Sequence, residues 1–228
     1  MDDMHYRLDF ERKLIHHCTP VLAALKPANL FTCRDESVPG IRGNGPNPVD
    51  PHEYQDSFSK ALRTARVKLA PCGVRIEVLA RRPAGPLIYV YRPHLLKLSI
   101  QQENVAAYLR KEGYDPSCLS TCIERRRICG TDVKSQLTGC CSFPHEIGFF
   151  LGYPYEDVVG FIENRGENFL CSGCWKVYAQ ERDAQACFCC YKNCTTVYEC
   201  LFDEGVPLEC LASLDEDFPA AEAFRAAG

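Results

Sequence analysis

Val74-Arg75-Ile76-Glu77-Val78-Leu79 and Leu87-Ile88-Tyr89-Val90-Tyr91, joined by Arg81-Arg82-Pro83-Ala84-Gly85-Pro86, form the stretch whose reading decides the fold. In the first run Val74, Ile76 and Val78 alternate with Arg75 and Glu77, the two-residue period of a strand with one face inward. The second run is apolar throughout, as in a strand covered on both faces. The prolines and glycine between them make a turn, so the two runs predict an antiparallel pair. Asn29-Leu30-Phe31 reads as the start of another short strand, and Trp175-Lys176-Val177-Tyr178 as a third main strand.

Helical spacing dominates the rest of the chain. Asp9 to His17 predicts a helix, its apolar face running through Leu14, Ile15 and Cys18. Thr19-Pro20 then reads as a cap and first position of a second short helix, Pro20 to Lys26, stopped by Pro27. Residues 34–51 hold so many glycines and prolines that they predict a loop. A helix from His52 to Leu69 carries Phe58, Ala61, Leu62, Ala65 and Leu69 inward. Ser99 and Gln102 suggest a capping box for a helix ending at Gly113, and Asp115-Pro116 opens another reaching about Arg127. Pro144 and Pro154 read as first positions of two consecutive helices, broken at Gly152 and ended near Gly166. Glu181 to Phe202 predicts a long helix with Ala184, Cys187, Phe188, Tyr191, Cys194, Tyr198 and Leu201 on one stripe. The expected architecture is a single α+β domain over residues 1–205, a small mostly antiparallel sheet covered by many helices, with residues 206–228 as a partly frayed tail.

A hydrophobic fraction of 46% supplies a core for the 228 residues. A net charge of −4 argues against a general nucleic-acid binder. Arg125-Arg126-Arg127, the one dense basic run, reads as a solvated helix face. Met1-Asp2-Asp3-Met4-His5-Tyr6-Arg7 is polar, with no apolar signal core after it, and no stretch nears the roughly 20 apolar residues of a membrane span. The expectation is a cytoplasmic protein without membrane contact. In that compartment the 16 cysteines, most of them between Cys118 and Cys210, point to metal binding, thiol chemistry or small core residues rather than disulfides.

Three groups of residues could carry chemistry. Pro144-His145-Glu146 would place an imidazole and a carboxylate at a helix start, where free N–H groups favour an anion and a neutral imidazole. His145 would then act as base and Glu146 as its partner. His17-Cys18-Thr19-Pro20 repeats that logic with a thiol, making Cys18 a candidate nucleophile or ligand beside His17. Lys26, Arg92 and Lys176, at the ends of a short helix and two strands, are candidate anion or cofactor contacts. In the third group, Cys171-x2-Cys174 and then Cys190 and Cys194, with 15 residues between Cys174 and Cys190, come close to a four-thiolate zinc spacing.

His17-Cys18-x-Pro20, Lys26-Pro27-Ala28-Asn29-Leu30-Phe31, Val90-Tyr91-Arg92-Pro93, Phe143-Pro144-His145-Glu146-Ile147-Gly148, Leu151-Gly152-Tyr153-Pro154, Asp157-Val158, Gly160-Phe161-Ile162 and Trp175-Lys176-Val177-Tyr178 occur in this order. As a set, from about His16 to Cys200, they resemble the bacterial domain-of-unknown-function family numbered 3793, associated with anaerobic bacteria. The resemblance carries no activity with it. It implies iron-uptake or flavodoxin-like proteins as partners. The chain departs from the family pattern at Cys174, where an aromatic residue is expected, and in most of its later cysteines, which weakens the zinc reading. The functional expectation is a polar pocket for a small anionic ligand or an unknown cofactor, formed where Cys18, His17, Lys26, Arg92, His145, Glu146 and Lys176 converge, with enzymatic activity open. An iron- or zinc-binding redox protein and an adaptor without chemistry are the alternatives.

Overall fold

The apolar run becomes the central strand. In the computed structural model, which describes residues 3–33, 51–82, 84–131 and 145–213, β1 (Ala28–Thr32), β2 (Arg75–Arg82) and β3 (Gly85–Tyr91) form an antiparallel sheet of order β1-β3-β2. β3 pairs with β1 from Ala28↔Tyr91 to Thr32↔Leu87 and with β2 from Arg75↔Tyr91 to Arg82↔Gly85. Because side chains alternate across a strand, Ile88 and Val90 enter one core while Leu87, Tyr89 and Tyr91 enter the other. Both faces of β3 are covered, as its composition requires. In β2 a register shift between Val78 and Ala80 resets the alternation, so Ile76 faces the first core and Leu79 and Ala80 the second.

Long helices cover the first face: α1 (Asp3–Leu22), α2 (Pro51–Leu69), α8 (Glu181–Asp203) and the single turn α9 (Leu208–Leu211). Phe10, Leu14, Ile15 and Cys18 of α1 meet Phe58, Ala61, Leu62 and Ala65 of α2 and Cys194 and Tyr198 of α8. Short helices cover the second face: α3 (Pro93–Ile100), α4 (Glu103–Lys111), α5 (Leu119–Thr131), α6 (Ile147–Phe150) and α7 (Tyr155–Glu163). They bring Leu96, Ile100, Leu109, Phe149 and Phe150, and the segment after α4 brings Tyr114, into one core with Tyr89 and Tyr91. The Tyr89 hydroxyl donates to the Phe150 carbonyl at 2.7 Å, fixing α6 over the strand. The result is the expected α+β architecture.

Several local expectations are corrected. Pro20 does not open a second helix but lies inside the last turn of α1. The Thr19 hydroxyl donates back to the Ile15 carbonyl at 2.6 Å instead of capping a new helix, and the chain leaves α1 through Ala24 at φ 56°. Ser99 belongs to α3, which Pro93 starts at its first turn, and the expected capping box is absent: Gln102 precedes α4 without a side-chain cap. The expected strand at Trp175 shrinks to β5 (Lys176–Val177), which pairs with β4 (Cys171–Ser172) in a separate two-stranded ribbon. Leu208 and Leu211, read from sequence as tail, are buried in the first core. Phe143, Pro144 and nearly all of the 34–51 loop lie outside the described residues.

Candidate functional site

The turn between α1 and β1 is pinned from several sides. The Leu25 and Lys26 amides both donate to the Pro20 carbonyl, at 2.8 and 3.0 Å. The Arg92 guanidinium, 3% exposed, donates to the Val21 carbonyl through Nε at 2.6 Å, to Cys72 through Nη1 at 2.7 Å, and to Leu22 and Ala212 through Nη2. Four of its five N–H groups are thereby spent on backbone carbonyls. The end of α1, the α2–β2 turn and the end of α9 are held together. Arg92 is therefore a structural tie, and burial lowers its pKa. The expected anion clamp is not found there.

Close approaches then bring two distant segments to this turn. Gly152 has φ +74°, and a Cβ there would sit 2.2 Å from Pro27 Cγ. Only glycine allows the α6–α7 turn to rest on Pro27, and that seat lays the Tyr153 ring 4.8 Å from Lys26 Nζ. On the other side, a Cβ on Gly173 would meet the Phe188 ring at 2.3 Å, so the β4–β5 ribbon abuts α8. Trp175 lies edge-on to Phe188, centroids 4.5 Å apart, and stacks on Tyr153 at 5.1 Å. Asp157, buried, accepts from Trp175 Nε1 at 2.7 Å and from the Tyr178 and Ala179 amides at 2.7 and 3.0 Å. It locks the ribbon onto the start of α7.

Lys26 ends up 5% exposed. Nζ donates to Asn29 Oδ1 at 2.9 Å, and Asn29 Nδ2 donates to the His17 carbonyl. Among the described residues no carboxylate pairs with Lys26, whose other polar contact is the Tyr153 ring face. Burial lowers its pKa from 10.5 to about 8, opposed by Cys174, Cys18 and Cys187. The side chain lines a cleft of about 480 Å³ shared with His16, His17, Asn29, Cys174, Phe188, Tyr191, Lys192, Thr195 and Glu199. Partial burial, helped by His16 and Lys13, lowers the His17 imidazole, which stacks on Phe31 at 4.7 Å. Glu199 Oε1 is 2.7 Å from His16 Nδ1. Tyr191, raised by burial, reaches the Leu25 carbonyl at 3.4 Å.

Two neighbouring hollows differ in character. A broader groove of about 880 Å³ continues past His16 and His17, but its charges are already matched, Arg12 to Asp203 at 2.6 Å and Lys13 to Asp9 at 2.7 Å. Among the described residues it has no cation buried and unmatched as Lys26 is. A tighter hollow of about 270 Å³ is lined by His145, Gly148, Tyr153, Phe161, Cys174, Trp175 and Lys176. His145 packs on Phe161 at 5.0 Å. Lys176 Nζ donates to the Gly166 carbonyl at 2.6 Å and lies over Phe169. Cys174 and the Tyr153–Trp175 stack form the wall between this hollow and the Lys26 cleft.

The seven residues expected in one pocket are thus divided. His17 and Lys26 share a cleft, and His145 and Lys176 share the hollow next to it. Glu146 Oε1 accepts from the Tyr114 hydroxyl at 3.1 Å. Cys18 is sealed in the first core, where burial raises its pKa, and Arg92 serves the backbone. The four expected zinc thiolates are not gathered. Among the described residues no group of three or more His, Cys, Asp or Glu side chains is placed to hold a metal ion. Cys194 is a core residue, whereas Cys174 is exposed. Sequence reasoning missed Asn29, Tyr153, Tyr191 and Lys192. The first two lay within the quoted Lys26-Pro27-Ala28-Asn29 and Gly152-Tyr153-Pro154 motifs.

Among the described residues no helix is long and apolar enough to cross a membrane. A family model described as "Protein of unknown function (DUF3793)" matches residues 14–212. No curated protein and no solved structure matches the chain.

Proposed function

We propose that this chain, which belongs to the DUF3793 family, binds a small anionic ligand in the cleft floored by Lys26. The observation that carries this reading is an ammonium, 5% exposed, bonded to one neutral amide and matched by no carboxylate among the described residues. Burying an unpaired charge costs stability, and an anion entering the cleft would supply the missing counter-charge. His17, Lys192 and the Thr195 hydroxyl line the same space as further polar contacts, and Phe188 and Tyr191 offer ring faces to an apolar or planar ligand body. The iron or zinc alternative draws no support from the cysteines, since they form no ligand cluster among the described residues.

The test is thermal unfolding of the full chain with inorganic phosphate, acetate, nucleotides and flavin mononucleotide. The expected result is a saturable rise in Tm with one or more of these anions. At about one hundred times Kd it corresponds to roughly 2–3 kcal/mol. The rise weakens from about pH 7 to about pH 9 as Lys26 loses its proton, the other titratable groups facing it being Tyr153 from the α6–α7 turn, His16, His17 and Cys18 from α1, Cys174 from the ribbon, and Cys187, Tyr191, Lys192 and Glu199 from α8. It disappears in Lys26→Met. No rise with any anion, or an equal rise in Lys26→Met, overturns the proposal.

A further inference from the structure

We infer that Lys26 is also a nucleophile, and that the ligand class of its cleft is a small anion bearing an aldehyde or ketone carbonyl, which it holds as a reversible imine. The inference rests on the anion-site reading above and deepens it by naming the reacting group. An amine attacks a carbonyl only when neutral and open to the space the carbonyl enters, and Lys26 lines the cleft. Lys26 is bonded to one partner, Asn29 Oδ1. It is 5% exposed and shares the cleft with Phe188 and Tyr191, and this desolvation favours an amine over an ammonium, outweighing the pull of the Tyr153 ring face on the cation. Its pKa of about 8 agrees with that setting and gives it a neutral fraction roughly two orders of magnitude above that of a solvated lysine at neutral pH.

The cleft also supplies the other parts such a reaction needs. Imine formation neutralises the charge on Lys26, so a second cation must hold the anionic group. Lys192, on the exposed side of α8, lines the same cleft. The dehydration step needs a proton donor and acceptor, and the His17 imidazole, kept neutral by partial burial, lines it too. The step balances without an oxidant or reductant. The Nζ lone pair bonds to the carbonyl carbon. Both remaining amine protons end on the carbonyl oxygen, which departs as water, leaving a C=N bond that water can reverse.

The experiment traps the imine. The full chain is incubated with glyoxylate, and separately with pyridoxal 5′-phosphate, and reduced with borohydride. The adducts are then located by peptide mass spectrometry. The expected result is an adduct at Lys26 at least about tenfold above that at exposed lysines such as Lys192. Lys26→Arg should lose that adduct. Adducts spread evenly over the lysines, or none at Lys26, overturn the inference. If phosphate or acetate still stabilises the protein, the anion-site reading stands alone. If no anion stabilises it, both fall. Mapping on the unaltered protein decides the matter even if a variant fails to fold.

Discussion

The two helical layers on the sheet are built by different means. One is made of helices of 20, 19 and 23 residues, whose long stripes of aliphatic and small residues, with Phe10, Phe58 and Tyr198 among them, pack onto Ile76, Ile88 and Val90. The other is made of helices of 8, 9, 13, 4 and 9 residues joined by tight turns, with Tyr114, Phe149 and Phe150 set among Leu96, Ile100 and Leu109 around Tyr89 and Tyr91. Long helices bury a continuous stripe and need few special residues. Short ones bury little each, and depend on large side chains and on turns that only Pro and Gly permit. The Lys26 cleft lies where the two constructions meet. Its floor comes from the end of α1, and its roof from the α6–α7 turn and the β4–β5 ribbon.

That contrast can be broken at three places. The largest effect belongs to Arg92→Met. Losing the guanidinium strands buried carbonyls at Val21, Leu22, Cys72 and Ala212 and should cost about 3–5 kcal/mol in urea unfolding. A loss below about 1 kcal/mol would mean that the long-helix layer holds its ends without the tie. Next comes Gly152→Ala, which combines a left-handed backbone with a clash on Pro27. It should cost roughly 2–4 kcal/mol and, by lifting Tyr153, weaken anion binding as well. Unchanged binding would show that the short-helix layer does not shape the cleft.

Lys26→Met should act in the opposite direction, because it removes a charge that folding desolvates. The unfolded chain keeps the Lys26 proton up to about pH 10.5, whereas the folded chain releases it near pH 8. Between these values the unfolded state binds more protons, so stability from this residue rises with pH, and the penalty is complete below about pH 8. The substitution should therefore stabilise the ligand-free protein by up to ~3 kcal/mol near neutral pH, with the gain fading toward pH 10.5. Melting curves of both proteins across that range check it. A pH-independent gap would mean that Lys26 is charged to the same extent in both states.

Legibility in the sequence followed the difference between local repeats and long-range contacts rather than the two layers. The 3.6-residue stripes of α2 and α8 and the alternation of β2 are visible in single segments, because each is a local repeat against one partner surface. The apolar run of β3 announced its double coverage. In the other layer, Ser99 and Gln102 imitated a capping box, and Pro93 outweighed them by starting a helix earlier. Thr19-Pro20 imitated a helix start, but Pro20 could close α1 because the Thr19 hydroxyl satisfied Ile15. For the site, His17 and Lys26 were visible as residue types near each other. The burial of Lys26 was not visible, since it is created by Tyr153, Cys174 and Phe188, more than a hundred residues away. A lysine after a helix normally reaches water, and nothing local to residue 26 says otherwise.

Asn29 carries a consequence of its own. Both ends of its amide are engaged, one with the His17 carbonyl and one with Lys26. An aspartate there would be nearly the same shape, yet it would make residue 26 half of a permanent internal ion pair and deprive it of any appetite for an outside anion. A single nitrogen atom in place of an oxygen is thus what leaves the lysine hungry, and position 29 is the dial by which reactivity at this cleft would be tuned up or silenced.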